Sequence, residues 1–276
     1  MTMNDMPPFS HGSVIAPDGT SLGVLRVGAG TPLVVCHGAF TIAQDWLPFA
    51  AHMAANHTVY LYDRRGRGTS PNVADDFALD AEVDDLAAIV AHAGEDAAIF
   101  GHSFGGACAL AYAARSNFAG SLIVYEPPHS ARGPVSRGHI PEIKRLIASG
   151  DKDAATQYAM REVIGMPAQV IAGFQQSPLW AQMCEAVTAF PNELRFLDSL
   201  TWQTGDLDGM ACRTTLLLGG DTPALPDDIS PVAALQSLLP AMRTVFIPGQ
   251  GHVAYLAAPE QLAGIVKRSL AGVAVG

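Results

Sequence analysis

Short apolar runs bounded by glycine or proline alternate with longer amphipathic stretches along most of this chain. Residues 12–28, GSVIAPDGTSLGVLRVG, hold two β-type runs around Pro17-Asp18-Gly19 and predict a hairpin. TPLVVC (31–36) and HTVYLY (57–62) follow as apolar runs that end in polar and glycine residues. Val83, Leu86, Ile89 and Val90 then recur at helical spacing within ALDAEVDDLAAIVAHAG. DAAIFGH predicts a strand, residues 106–114 a helix, and GSLIVYEPP a strand stopped by Pro127-Pro128. Strands alternating with helices predict an α/β fold: a mainly parallel central sheet with helices on both faces.

Between residues 127 and 209 the rhythm breaks, and only helical patterns occur: IPEIKRLIASG, DAATQYAMREVIG, PAQVIAGFQ and PLWAQMCEAVTAFPNELRFLDSL. It returns with a strand in CRTTLLLGG, a helix in DISPVAALQSLLP, a strand in MRTVFIPGQGH and a final helix in HVAYLAAPEQLAGIVKRSL. The expected organisation is a core of residues 1–126 and 210–276, with 127–209 an all-helical cap inserted between two core strands. Open α/β sheets bind ligands at the carboxyl ends of their strands, so the cap is expected to lie over those ends as a lid. It brings Met160, Trp180, Met183 and Trp202, most of which serve as cap core. Some of them, with Phe40 and His129, are expected to line an apolar pocket.

The strand-to-helix junction in AAIFGHSFGGACAL (97–110) carries the clearest chemistry. Gly101-His102-Ser103-Phe104-Gly105 fits G-x-S-x-G. A serine on a sharp, strained turn has its hydroxyl lifted clear of the sheet, and the turn leaves no room for side chains at the flanking positions. The following N–H, that of Phe104, sits at a helix N-terminus and can stabilise negative charge. A serine hydroxyl needs a base. Of nine histidines, His252 stands on the glycine-rich loop after the last strand, at the correct edge of the sheet. His11, His52, His57 and His92 read as surface or capping residues, His102 as part of the elbow's supporting shell, and His139 with His129 as cap-entrance residues. His37-Gly38-Ala39-Phe40 follows a strand, so the Ala39 N–H is the expected second oxyanion donor, with Phe40 the alternative; His37 reads as a loop anchor.

These residues, in the order His-Gly loop, YDRRGRGTS, GHSFGG, acid, GQGH, resemble the α/β-hydrolase family over essentially the whole chain. The resemblance implies a Ser-His-acid triad and cleavage of a carboxylic ester or lactone through an acyl-enzyme, with no metal and no organic cofactor. YDRRGRGTS looks like the family's Asp-x-x-Gly-x-Gly-x-Ser loop, which implies a scaffold role in ion pairs for Asp63, Arg64 and Arg67. One departure concerns the acid. The usual Gly-x-x-Asp after the cap reads LLLGGDTPALPDD here, with Asp221 early and Thr222-Pro223 in the expected slot. Glu126, at the end of the strand after the nucleophile's helix, is favoured over Asp221, a placement similar to zearalenone-type lactone hydrolases. The same triad also serves C–C bond hydrolases, acyltransferases, cofactor-free perhydrolases and hydrolase-like ligand receptors.

Bulk properties narrow the partners. The 276 residues are 49% hydrophobic, enough for one large core or a core plus an insert. Sixteen Lys+Arg against 26 Asp+Glu give a net charge of −10 with no basic run, which argues against nucleic acid and anionic membrane. A small hydrophobic ester or lactone is the expected partner; the sequence carries no signal for an oligomeric state. The four cysteines have no metal-ligand spacing and suit a reducing compartment. MTMNDMPPFSHG has neither a basic nor an apolar leader region, and a cytoplasmic protein is expected.

Overall fold

The computed structural model describes residues 7–71, 80–94, 96–130, 133–222 and 231–273. Eight strands form one sheet: β1 (Phe9–Ile15), β2 (Ser21–Val27), β3 (Thr31–Cys36), β4 (His57–Tyr62), β5 (Ala98–His102), β6 (Ser121–Tyr125), β7 (Arg213–Gly219) and β8 (Arg243–Ile247). Their order is β1-β2-β4-β3-β5-β6-β7-β8. The β1–β2 hairpin and the β2–β4 pair are antiparallel, and every other pairing is parallel. The central strands carry runs of consecutive apolar residues, such as LVVC, LIVY and LLL, because both faces are covered. In β3, Leu33 and Val35 pack to one side with Trp46, Phe49 and Leu262, while Val34 and Cys36 pack to the other with Leu86, Ile89 and Leu110.

The helices that cover the sheet are α1 (Leu47–Met53), α2 (Ala81–Ala93), α3 (Phe104–Arg115), α9 (Pro231–Leu238), α10 (Ala254–Ala257) and α11 (Pro259–Leu270). Between β6 and β7 run α4 (Ile140–Ala148), α5 (Lys152–Tyr158), α6 (Ala168–Gln175), α7 (Leu179–Ala186) and α8 (Phe190–Ser199). Val83, Leu86, Ile89 and Val90 of α2 are all buried, as their spacing requires.

Three departures from the sequence reading have physical causes. The long helix expected over residues 178–200 breaks at Val187–Ala189, because Pro191 lacks an N–H and can only start a new helix there. Pro259 splits the expected terminal helix into α10 and α11 in the same way. Helix α1 has no counterpart in the expected elements; it buries Leu47, Phe49, Ala50 and Met53 and carries a proline at its second position. The expected helix starts at Ala78 and Asp228, and the Pro223 slot, lie outside the described residues. Among the described residues no helix is long and apolar enough to cross a membrane.

Candidate active site

Parallel register brings the candidate residues together. His102 pairs with Tyr125 at the carboxyl ends of β5 and β6, so the next residues, Ser103 and Glu126, emerge side by side. The Ser103 N–H donates to the Tyr125 carbonyl at 2.8 Å, and the Glu126 N–H to that of Leu217 at 3.1 Å. Both residues hold positive φ, 51° for Ser103 and 46° for Glu126. Such backbone costs a non-glycine residue of the order of 1–3 kcal/mol and persists only where the surroundings enforce it. At Ser103 the enforcement is visible. A Cβ on Gly101 would lie 2.6 Å from the Gly105 carbonyl oxygen, and one on Gly105 would lie 2.1 Å from that of Cys36. Helix α3 therefore starts immediately after Ser103 and presses against the end of β3. The Ser103 side is half-buried, and its carbonyl accepts from the N–H groups of Gly106 and Ala107.

His252 lies on the loop after β8, and two buried side chains of the β5–β6 ends hold that loop. The His102 Nε2–H donates to the His252 carbonyl at 2.9 Å. Tyr125 Oη donates to the Gly251 carbonyl and accepts from the Ala254 N–H at 3.4 Å. The imidazoles of His102 and His252 lie 4.6 Å apart, centroid to centroid. Burial, then the neighbouring His252, holds the His102 ring well below the ordinary histidine range, so it stays neutral with its proton on Nε2.

His252 Nδ1 is 2.5 Å from Glu126 Oε2. The other carboxylate oxygen accepts the Gly219 N–H at 2.8 Å and the Thr222 hydroxyl at 2.6 Å. Burial works to raise the Glu126 pKa; the hydrogen bond and charge of His252, Thr222 and the Gly219 N–H overcome it and leave the carboxyl below its ordinary value. Only 10% of the Glu126 side chain is exposed, against 37% for His252. With Nδ1–H donated to the carboxylate, Nε2 is left free to accept a proton. No hydrogen bond joins it to Ser103 Oγ in this geometry, a link that often tightens only around substrate. Asp221 is exposed, with its N–H on the Gln250 carbonyl at 3.0 Å.

The candidate oxyanion loop is fixed from behind. The Gly38 carbonyl accepts from Thr41 Oγ1 at 3.0 Å and from Arg64 Nη2 at 3.1 Å, beside His37 Nδ1 at 2.9 Å. The Arg64 N–H donates to His37 Nε2, so His37 is a buried, neutral anchor. A trans peptide sets its C=O and N–H on opposite sides, so the Ala39 N–H points away from this cluster. Phe40, with φ of 61°, packs its ring at a tilt against that of Phe190, centroids 4.8 Å apart. Phe104, first in α3, has no intrahelical partner for its N–H.

Of the expected pocket residues, Met160, Met183 and His129 are buried, and Trp202 is half-buried against the core. Trp180 is half-buried and gives its indole N–H to Asp153 at 2.7 Å. Two surface clefts of about 850 and 470 Å3 lie at the opposite, amino ends of the strands and include none of Ser103, Glu126 and His252. Sequence reasoning put His102 in the supporting shell without its hold on the His252 carbonyl, and missed the clamp from Tyr125 and the hydroxyl of Thr222. Asp63 also differs from expectation: its carboxylate accepts backbone N–H groups of Ala43 and Thr69 and the Thr69 hydroxyl rather than forming an ion pair. Arg64 and Arg67 do form ion pairs, and these reach into the helical insert. Among the described residues no cluster of His, Cys, Asp and Glu could hold a metal ion.

A doubly covered parallel sheet with a serine on a strained turn after β5 defines a known class. The family model described as the alpha/beta hydrolase family matches residues 33–265, and the chain belongs to that family. It is similar to an alpha/beta hydrolase from Sphaerobacter thermophilus, at 31% identity and a TM-score of 0.80, over 92% of this chain and 98% of that one. It is also similar to the N-formylmaleamic acid deformylase of Pseudomonas putida S16, at 25% identity and a TM-score of 0.67, over 93% and 100% of the two chains. A non-heme haloperoxidase from Rhodococcus erythropolis is 37% identical over 106 residues, 37% of this chain and 38% of that protein.

Proposed function

We propose that this protein is a serine hydrolase of hydrophobic carboxylic esters or lactones, with Ser103 as nucleophile, His252 as base and Glu126 as the triad acid. The observation that carries the reading is the His252–Glu126 pair at 2.5 Å, on a loop clamped beside the turn that bears Ser103. His252 Nε2 takes the Ser103 proton as Oγ attacks the carbonyl carbon. The N–H groups of Ala39 and Phe104 hold the oxyanion. The imidazolium then protonates the departing alkoxide, leaving acyl-Ser103. Water gives a proton to the same nitrogen and attacks the acyl carbon; the imidazolium then returns that proton to Ser103 Oγ as the C–Oγ bond breaks and the carboxylic acid leaves. Glu126 keeps the proton on Nδ1 and stabilises the imidazolium throughout. The helical insert serves as the lid, with its apolar side chains favouring uncharged acyl groups. The acid's position on the strand after the nucleophile's is what brings lactones into the class.

The partial similarity to a haloperoxidase favours one second reading, perhydrolysis. There hydrogen peroxide replaces water on acyl-Ser103, giving a peracid and free serine with no cofactor.

A panel of p-nitrophenyl esters of rising acyl length, together with aliphatic and aromatic lactones, tests the reading. Wild-type protein is expected to turn over part of the panel and to gain one diethylphosphoryl group at Ser103 from diethyl p-nitrophenyl phosphate. Ser103→Ala is expected to lose both. Retained turnover in that variant would overturn the assignment. Peracid formed faster than carboxylic acid at millimolar peroxide would favour the second reading.

A further inference from the structure

A buried charge cluster links the helical insert to the candidate oxyanion loop. Arg64 and Arg67 on the loop after β4, Glu82 on α2 and Glu193 on α8 are all buried. Arg64 Nη1 donates to Glu82 Oε1 at 2.9 Å. Its Nη2 carries two hydrogens and has two acceptors: Glu193 Oε1, and the Gly38 carbonyl at 3.1 Å. Arg67 Nη2 donates to the same Glu193 oxygen at 2.7 Å. The Arg64 guanidinium also lies over the Phe104 ring, 4.3 Å from its centroid. One planar group thus touches the Phe104 ring and the carbonyl of the peptide that carries the Ala39 N–H, and one of the two carboxylates that orient it belongs to the insert.

We propose that Arg64 is a positioning residue that makes the oxyanion hole depend on a seated insert. Glu193 holds Nη2 so that its remaining hydrogen meets the Gly38 carbonyl. That contact keeps the Gly38–Ala39 peptide turned with its N–H toward the serine. When α8 lifts, Nη2 loses its anchor, and the Gly38 carbonyl is left with only Thr41 Oγ1 and His37 Nδ1 to hold the peptide. A site completed only under a closed lid reacts with substrate that lets the insert seat, and closure commits that substrate. The scaffold role implied for Arg64 by its loop does not require this. A scaffold pair would be satisfied by Glu82 alone, whereas here the shared nitrogen faces a main-chain oxygen of the site. This inference rests on the serine-hydrolase reading above.

The test compares three variants of the full chain. Arg67→Met/Glu193→Met removes one positive and one negative charge, leaves Arg64–Glu82 paired and cuts the insert's hold on Nη2. Glu193→Gln keeps the shape and an acceptor oxygen, and serves if the double variant does not fold. Gln182→Ala breaks a different insert contact, the 2.7 Å hydrogen bond to Asp45, and is the control. The readouts are kcat and KM on the best p-nitrophenyl ester, and Ki for a phenylboronic acid, which mimics the tetrahedral adduct. Losing one oxyanion donor costs roughly 100- to 1,000-fold in kcat. Loosening one is therefore expected to cost about 10- to 100-fold in the double variant and about 3- to 10-fold in Glu193→Gln. KM should stay within about threefold, boronate Ki should rise in step with the fall in kcat, and Gln182→Ala should stay within about twofold of wild type. The coupling is overturned if a folded double variant or folded Glu193→Gln keeps kcat within twofold, or if the loss falls on KM while boronate Ki is unchanged. An equal loss in Gln182→Ala also overturns it. Phosphorylation of wild-type Ser103 separates the two claims: no adduct defeats the hydrolase reading, whereas an adduct with unchanged variants defeats only the coupling.

Discussion

Replacing Glu126 with Gln changes one oxygen to an amide nitrogen, and the geometry states which way the amide must turn. The carboxylate has two duties. Oε1 accepts from two donors, the Gly219 N–H and the Thr222 hydroxyl, while Oε2 faces one, His252 Nδ1–H. A glutamine can leave its oxygen on only one side. Keeping it on Gly219 and Thr222 satisfies two donors and sets NH2 against the imidazole. His252 must then turn Nδ1 into an acceptor and carry its proton on Nε2, where it cannot take one from Ser103. A base locked in the wrong tautomer costs roughly 10,000-fold in kcat in the trypsin-type triad, or about 5 kcal/mol of transition-state stabilisation. We expect a loss of that order here, with KM within a few-fold, measured by steady-state ester hydrolysis near pH 8. Activity should partly recover at high pH as hydroxide takes over from the imidazole. Asp221→Asn, at an exposed turn whose backbone bond to Gln250 is retained, is expected to stay within about threefold of wild type. A Glu126→Gln enzyme within tenfold of wild type would refute the tautomer argument. An Asp221→Asn loss equal to that of Glu126→Gln would do the same.

Two further predictions concern the frame. Gly105→Ala places a methyl 2.1 Å from the Cys36 carbonyl oxygen, against main chain that cannot swing aside. A destabilisation of about 3 kcal/mol is expected, read as a fall in Tm of roughly 6–12 °C, with ester turnover down more than about 100-fold; an unchanged Tm would contradict the close packing of the elbow. Burial holds both His37 and His102 well below the ordinary histidine range, so neither ring should protonate between pH 7.5 and 5.5 in long-range 1H–15N spectra. The sign for stability follows: as pH falls through about 6.5 the unfolded chain takes up protons that the folded chain refuses. The stability that each neutral ring contributes is thus full above that pH and declines below it, by up to about 1.4 kcal/mol per pH unit. Titration of either ring near 6.5 in the folded protein would remove the argument.

The strand-end residues were readable because their signals are local. A glycine-flanked serine after an apolar run, a glutamate closing the next such run and a histidine on a glycine-rich loop each sit where a parallel sheet opens to ligand, and β6 is the neighbour of β5. The prolines at 191 and 259 were visible too, but apolar spacing continues across both and hid the helix breaks. The charge cluster left no trace of this kind. Arg64 and Glu193 are 129 residues apart, and nothing in the periodicity of either segment says that one carboxylate closes over two guanidinium groups. The acceptor role of Asp63 escaped for a similar reason, since its main-chain partners are Thr69 in the same loop and Ala43, 20 residues away.

That cluster limits how freely the segment between β6 and β7 can be exchanged during evolution or by an engineer. A transplanted helical segment lacking an acidic side chain at the place of Glu193 would strand two cations beneath it with Glu82 as the only counter-ion in the group. An uncompensated buried charge costs several kcal/mol, a large share of the stability of a typical domain. New substrate range is therefore easier to reach by changing α4 to α7 around a retained α8 than by swapping the whole segment.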